Sequence, residues 1–114
     1  MFEISKSSHE RIAMLKVNGY CNQEAGDELL KIVRHEFETG SFADLIIDFA
    51  QCSGVNSPGV ARVLEAAEIV TEDFGGSVVM SGLDKIKRSF FQMVGILELA
   101  AAAPDETAAI KLLS

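Results

Sequence analysis

Cysteine is scarce in this sequence, and the two cysteines that occur, Cys21 and Cys52, do not stand at the spacing of a metal site. No Cys-x-x-Cys motif is present, and no histidine follows either cysteine at a ligand interval. We therefore expect two reduced thiols in a cytoplasmic protein, with neither a disulfide nor a bound metal.

Long apolar runs are absent as well. No stretch approaches the ~18 residues that a membrane-spanning helix needs. The first residues also lack the basic run followed by an apolar segment that marks a signal peptide. These absences predict a cytoplasmic chain that does not insert into a membrane.

Positive charge is in deficit. The sequence has 10 Lys and Arg residues and 17 Asp and Glu residues, so its formal net charge is -7. The longest basic cluster spans only residues 85–88. An acidic surface repels nucleic-acid phosphates and anionic lipid headgroups, so we expect neither as a partner. A protein with a basic surface would instead be steered towards this chain.

Catalytic signatures are missing too. The sequence has no G-x-S-x-G elbow, no G-x-x-x-x-G-K-[ST] phosphate loop and no H-E-x-x-H pair. His9 and His35 are expected on the surface. Asp44 and Asp48 flank a predicted strand ~13 Å apart, too far for shared acid–base work, and are expected to be solvated at its ends. The sequence therefore predicts a non-enzymatic protein without a cofactor.

The segments that are present alternate between strands and helices. With 114 residues and 48 % apolar residues, residues 1–114 are predicted to form one domain with one ordinary core. A mixed β-sheet is expected, which opens with an antiparallel hairpin and continues with mostly parallel strands joined by helices. The predicted elements are strands at 2–6 and 11–17, a helix capped by Asn22, a strand at 45–47, a helix from 58 to about 73, a strand at 77–80, a helix capped by Asp84 that carries Ile86, Phe90, Met93 and Val94, a strand at 97–101, and a last helix ending at Leu113.

One turn, residues 53–59, stands out among the loops. Pro58 suits the first turn of a helix, and Ser57 before it is predicted to be the N-cap. A helix that begins after a parallel strand presents free N–H groups at the edge where α/β folds bind ligands. From these local signals alone, the turn is either a plain helix start or a binding surface. On the same helix, ideal geometry places Ile69 beside Arg62, away from the core, which makes Ile69 a candidate contact residue.

Five segments, in order, resemble the STAS family, the sulfate-transporter and anti-sigma-factor-antagonist domain. Residues 17–22 are similar to the family's opening of the first helix, residues 43–49 to its central strand, and residues 55–60 to its x-D-S-S-G-L turn. Residues 75–79 and 86–96 are similar to the next strand and helix. The resemblance implies a STAS-like α/β domain over nearly the whole chain.

The resemblance also implies a partner. Bacterial single-domain members bind an anti-sigma factor that is also a serine kinase, and phosphorylation of a serine at this turn breaks the complex, because a phosphate adds negative charge to the contact surface. By resemblance, the partner-binding residues here are Asn56, Ser57, Pro58, Gly59 and Arg62, with Ile69 added from helical geometry. The family's aspartate is replaced by Asn56, and its usual acceptor serine is replaced by Pro58, which has no hydroxyl.

Three interpretations follow from that replacement. The chain has lost the switch at this turn, or Ser57 is phosphorylated instead, or the domain serves as a scaffold or transporter-associated unit. A nucleotide or small-anion sensor is the alternative from another class, because helix N-termini accept anions. The sequence leaves open whether Ser53 takes over as acceptor and whether the chain is a monomer or a homodimer.

Overall fold

An antiparallel hairpin opens the chain in the computed structural model, which describes residues 1–114. Strand β1 (Phe2–His9) pairs along its whole length with β2 (Ile12–Cys21). Both strands are longer than predicted. The connection is only two residues long and has Glu10 at φ +55°, while Gly19, at φ +93°, bends β2 without ending it. A tight turn requires such a positive φ at one of its residues.

The rest of the chain adds parallel strands joined by helices to this hairpin. The remaining elements are α1 (Gln23–Glu38), β3 (Asp44–Asp48), β4 (Cys52–Val55), α2 (Ser57–Glu68) with a terminal π turn (Ile69–Asp73), β5 (Val78–Ser81), α3 (Lys85–Met93), α4 (Ile96–Leu99), β6 (Ala101–Ala103) and α5 (Glu106–Leu113). The sheet order is β1-β2-β3-β5-β6, β4 pairs with β2, and every pairing except β1 with β2 is parallel. The mixed α/β architecture expected from the sequence is thus confirmed.

Two predicted segments differ from the structure. Strand β4 (Cys52–Val55) has no counterpart in the prediction, because its CSGV sequence lacks the apolar run or alternation that marks a strand. The strand predicted at 97–101 was wrong: the short helix α4 (Ile96–Leu99) occupies most of it, and the strand is β6 (Ala101–Ala103). Gly95 at φ +89° follows the end of α3 and lets the chain turn directly into α4.

The sheet buries apolar side chains on both faces. The larger core lies between the sheet and the layer formed by α1, α2, α3 and α4, whereas α5 covers a smaller cluster on the opposite face. Parallel strands covered in this way carry continuous apolar runs, as residues 45–47 do. None of the helices combines the length and the apolarity needed to cross a lipid bilayer.

The two aspartates at the ends of β3 are not simply solvated, as the sequence suggested. Asp44 accepts a hydrogen bond from the Ser77 backbone N–H at 2.9 Å and so ties β3 to the segment leading into β5. Asp48 is only 4 % exposed and accepts a hydrogen bond from the Ser81 hydroxyl at 2.6 Å. A buried carboxyl group needs such a partner, and this one joins neighbouring strands.

Candidate partner-binding site

The turn before α2 is held by Asn56. Its backbone is extended, at φ -126° and ψ 171°, and its side-chain Oδ1 accepts a hydrogen bond from the Gly59 N–H at 3.0 Å. Asn56 is therefore the N-cap, and the prediction of Ser57 as the N-cap was wrong by one residue. Asparagine is as good a cap as serine, and an N-cap must keep an extended backbone, which Asn56 does whereas Ser57 is already helical.

Gly59 brings the first turn of α2 against the chain that leaves β2. A Cβ atom on Gly59 would clash with the backbone carbonyl of Cys21 and would lie 2.9 Å from the carbonyl oxygen of Asn22. The Asn56 N–H also donates a hydrogen bond to the Cys21 carbonyl, at 3.3 Å. Gly59 is itself buried and lies beneath the exposed residues of this turn.

Ser57 and Pro58 form the exposed crest of this turn. Both residues are exposed, and the Ser57 hydroxyl makes no hydrogen bond within the chain. The crest lies at the carboxyl edge of the parallel strands, because α2 begins directly after β4. This is the edge at which α/β folds bind their ligands.

Arg62 lies one turn further along α2 and is engaged within the chain. Its Nε donates a hydrogen bond to Asp27 of α1 at 2.8 Å, and its Nη1 donates one to Glu65 at 2.7 Å. The hydrogen bond with Asp27 and the nearby Glu65 carboxylate raise the pKa of the guanidinium. Arg62 thus clamps α2 to α1 and presents only about a third of its side chain to solvent.

Ile69 does not project into solvent. It is 8 % exposed and belongs to the main core. Helix α1 packs against α2 and the π turn that follows it, and Arg34 of α1 lines the same groove as Ile69. The expectation of an exposed Ile69 was wrong, because the periodicity of one helix does not reveal that a second helix covers its flank.

Tyr20, which the sequence did not single out, borders the crest. Its hydroxyl donates a hydrogen bond to the Val55 carbonyl at 3.2 Å, and its ring lies against Gly54, where a Cβ atom would come within 2.9 Å of the ring. It remains 40 % exposed beside the Asn56 turn. Half-exposed tyrosines are frequent contact residues in interfaces. The only signal was an aromatic residue just before the cap of α1.

The two cysteines lie beneath this region as free, buried thiols. The Cys52 thiol donates to the Gly54 carbonyl at 3.2 Å. Burial raises the pKa of the Cys21 thiol to about 12, with a smaller contribution from Cys52. No group of three or more His, Cys, Asp or Glu side chains is placed to hold a metal ion.

The crest offers few hydrogen-bond donors to an anion. Pro58 has no N–H, and Asn56 already occupies the N–H of Gly59, which leaves Ser57 as the one free amide among the first three helical residues. Neither concave site of the structure includes the crest. One groove of about 220 Å³ lies by Lys6 and Phe42, and another of about 200 Å³ lies by Arg34 and Ile69. The crest therefore lies outside both grooves and offers one free amide.

Comparisons with known proteins give a consistent answer at the level of the fold. No family model matches the chain, and no curated protein sequence matches it significantly. SpoIIAA superposes with a TM-score of 0.76 in its unphosphorylated form, at 18 % identity over 98 % of this chain and 96 % of that one. The phosphorylated form of SpoIIAA, from Bacillus, superposes with a TM-score of 0.74 at 19 % identity, over 98 % of this chain and 99 % of that one.

Two further structures widen the comparison. An anti-sigma factor antagonist from Mycobacterium paratuberculosis gives a TM-score of 0.80 at 16 % identity, over 99 % of this chain and 94 % of that one. The murine anion transporter Slc26a9 gives 0.77 at 12 % identity, over 94 % of this chain but only 18 % of the transporter. The STAS fold expected from the sequence motifs is thereby confirmed.

Proposed function

We propose that the chain is a non-enzymatic regulatory protein of the cytoplasm that binds an anti-sigma factor of the serine-kinase type through the crest of α2. The observation that carries this proposal is the exposed Ser57-Pro58 crest, rigidly capped by Asn56 and seated on the Cys21 carbonyl by Gly59. The fold shared with anti-sigma factor antagonists along almost the entire chain supports it.

Binding by this crest needs no phosphate and no catalytic group. Ser57, Pro58 and Tyr20 supply a small exposed surface on a backbone that folding has already ordered. A preorganised contact loses little conformational entropy when the complex forms. The net charge of -7 steers a basic partner surface towards it.

Control by phosphorylation at position 58 is absent from this proposal, because proline has no hydroxyl. One observation favours a second candidate, in which Ser57 is the acceptor. Since Asn56 provides the cap, the Ser57 hydroxyl is free, and its modification would cost no capping hydrogen bond. A phosphate there would still add roughly -1.5 to -2 charges at the centre of the contact surface.

Incubation with the kinase and ATP, followed by intact-mass spectrometry, separates these candidates. The partner is first captured from the source organism on the immobilised chain and is identified as a serine kinase. The wild-type mass should stay unchanged, whereas a Pro58→Ser variant should gain one phosphate. A stoichiometric phosphate on wild-type Ser57 would show that the switch has moved, and Ser57→Ala is the control for that assignment.

The transport-associated alternative leads to a different captured partner. The similarity to part of Slc26a9 shows that the same fold occurs within a much longer anion transporter. If the captured protein were a membrane transporter rather than a kinase, the proposed function would be wrong while the fold would stand.

A further inference from the structure

Helix α3 (Lys85–Met93) carries an apolar stripe on its exposed side. Ile86 is 80 % exposed and Met93 is 77 % exposed, with the partly buried Phe90 between them. Residues at positions i, i+4 and i+7 line one side of a helix, so these three side chains form a continuous strip. Isolated apolar residues on a surface are ordinary, but a contiguous strip of this kind marks an interaction site.

The fold prevents α3 from rotating to bury this stripe. Phe91 is fully buried and packs edge-on against Phe49, with ring centroids 5.0 Å apart. Lys87 lies beside it, 6 % exposed, with its ammonium group paired to Asp84 at the helix N-terminus. That hydrogen bond to Lys87 holds the pKa of the Asp84 carboxyl below its usual range. Phe91 and Lys87 thus occupy the core side and leave Ile86 and Met93 outside.

The charges around the stripe oppose the dipole of α3. Lys85 and Arg88 lie in the first turn, where the helix dipole disfavours cations. Glu98 lies just beyond the other end of α3, with a carboxylate oxygen 3.4 Å from the position that a Cβ atom on Gly95 would take. None of these three side chains forms an ion pair within the chain. The helix therefore has a basic start and an acidic end, neither of which is neutralised internally.

We propose that α3 is a docking surface for a second copy of this chain, in an antiparallel pair related by a two-fold axis near Phe90. In that arrangement Ile86 of one copy packs on Met93 of the other. Lys85 of each copy lies opposite Glu98 of the other, so the basic start of one helix meets the acidic end of its mate. The apolar strip and the charges of Lys85 and Glu98 are satisfied by the same pairing, as a two-fold interface requires, whereas Arg88 lies outside it.

A second copy fits these features better than other occupants. An anionic membrane presents negative charge only, so it would attract Lys85 but would leave Glu98 facing like charge. A uniformly acidic protein would complement Lys85 but would leave Glu98 facing like charge. The stripe covers on the order of 400 Å² per copy, about half of the ~800 Å² that a standard interface buries per partner. Contacts below the standard size are typical of weak, transient interfaces, so we expect a reversible dimer that forms between about 10 μM and about 1 mM.

Sedimentation equilibrium of the full chain, from about 10 μM to about 1 mM, tests this pairing over the range in which such a dimer forms. The weight-average mass should rise from the monomer value of 12.3 kDa towards twice that value. Ile86→Asp should keep the chain monomeric throughout. Leu112→Asp is the matched control, because Leu112 is 58 % exposed on α5 and the same substitution there should leave the dimer intact.

A charge exchange tests the predicted register. Lys85→Glu and Glu98→Lys should each weaken the dimer several-fold, and the double variant should restore the wild-type dissociation constant, because the pair is re-formed with its charges reversed. Arg88→Glu is the control, since Arg88 points about 160° away from Ile86 around the helix and should have little effect.

Three results would overturn the proposal. They are a wild-type chain that stays monomeric at every concentration, a dimer that survives Ile86→Asp, and co-sedimentation with phosphatidylserine vesicles that Ile86→Asp abolishes. Failure here would leave the proposed function intact, because the crest of α2 is not part of this interface. Ser57→Glu should correspondingly leave the dimerisation constant unchanged.

Discussion

Asn56 and Gly59 are joined by a side-chain-to-backbone hydrogen bond of 3.0 Å, and this bond fixes the first turn of α2. The side chain replaces one of the intrahelical bonds that the first helical N–H groups lack. The Gly59 N–H can donate this bond only because Gly59, which has no Cβ atom, fits against the Cys21 carbonyl. The position of the exposed Ser57-Pro58 crest follows from this pair.

Removing the cap should cost measurable stability. We expect Asn56→Ala to lower the free energy of unfolding by about 1 kcal/mol in a urea titration, whereas Asn56→Asp should retain the wild-type value, since aspartate caps equally well. Asn18→Ala is the control, because Asn18 makes only a long exposed hydrogen bond of 3.4 Å. Equal losses in the two alanine variants would show that the cap contributes nothing particular.

Adding one methyl group at Gly59 should be more damaging than removing the cap. In Gly59→Ala the new Cβ meets the Cys21 carbonyl, so α2 must shift, and we expect a loss of about 1–3 kcal/mol. Ser57→Ala, two residues earlier on the exposed crest, should change the stability by less than about 0.5 kcal/mol. Thermal unfolding of both variants measures the difference. A Gly59→Ala variant as stable as the wild type would contradict the packing described for the crest.

Ile69 should behave as a core residue. Ile69→Ala is expected to cost about 2–5 kcal/mol in urea unfolding, since the side chain is 8 % exposed and packed in the main core. Ile86→Ala, the same substitution at an exposed isoleucine, should stay within about 0.5 kcal/mol of the wild type at concentrations too low for dimerisation. An Ile69→Ala variant as stable as the wild type would contradict the burial of Ile69 in the core.

The buried Cys21 thiol should make the stability of the chain fall at high pH. Because the pKa of Cys21 is about 12 in the folded chain, its thiol stays protonated where an unfolded cysteine, with a pKa of about 8.5, ionises. The contribution of the protonated Cys21 thiol to the free energy of unfolding is fully present below the pKa of the unfolded state. It is lost as the pH rises towards the pKa of the folded state. Urea titrations between about pH 8 and pH 10 should show this loss, and Cys21→Ala should lessen it.

Thiol reactivity gives a second readout of the same burial. A disulfide reagent at neutral pH should modify neither Cys21 nor Cys52 in the native chain, because both thiols are buried, and should modify both in denaturant. Rapid modification of the native chain would show that the turn before α2 does not shield the two thiols from the reagent.

The sequence predicted the architecture well, because its strongest signals are regular. The apolar run at 45–47 and the caps Asn22 and Asp84 all lie where the structure has them. Strand β4 was missed because four residues of mixed character owe their strand geometry to pairing with β2, which no local pattern encodes. The cap of α2 was misplaced by one residue because asparagine and serine stand side by side and either can cap.

The candidate site was predicted only in part, for a related reason. Ser57 and Pro58 are exposed as the turn chemistry suggested. Arg62 and Ile69 were placed on an outer face because helix periodicity separates apolar from polar sides but does not show that α1 lies against the flank of α2. Ile86 and Met93 show the opposite discrepancy. Their apolar spacing is typical of a buried helix face, but both side chains are exposed to solvent.

Isothermal titration calorimetry against the captured kinase tests the central claim most directly. The wild-type chain should bind, with the same affinity before and after incubation with ATP. Ser57→Glu should bind at least about tenfold more weakly, a change of about 1.4 kcal/mol, and Ser41→Glu, the same substitution at an exposed residue of another loop, should bind as the wild type does. Equal affinities of Ser57→Glu and the wild type, or a wild-type affinity that is lost after ATP, would contradict the account.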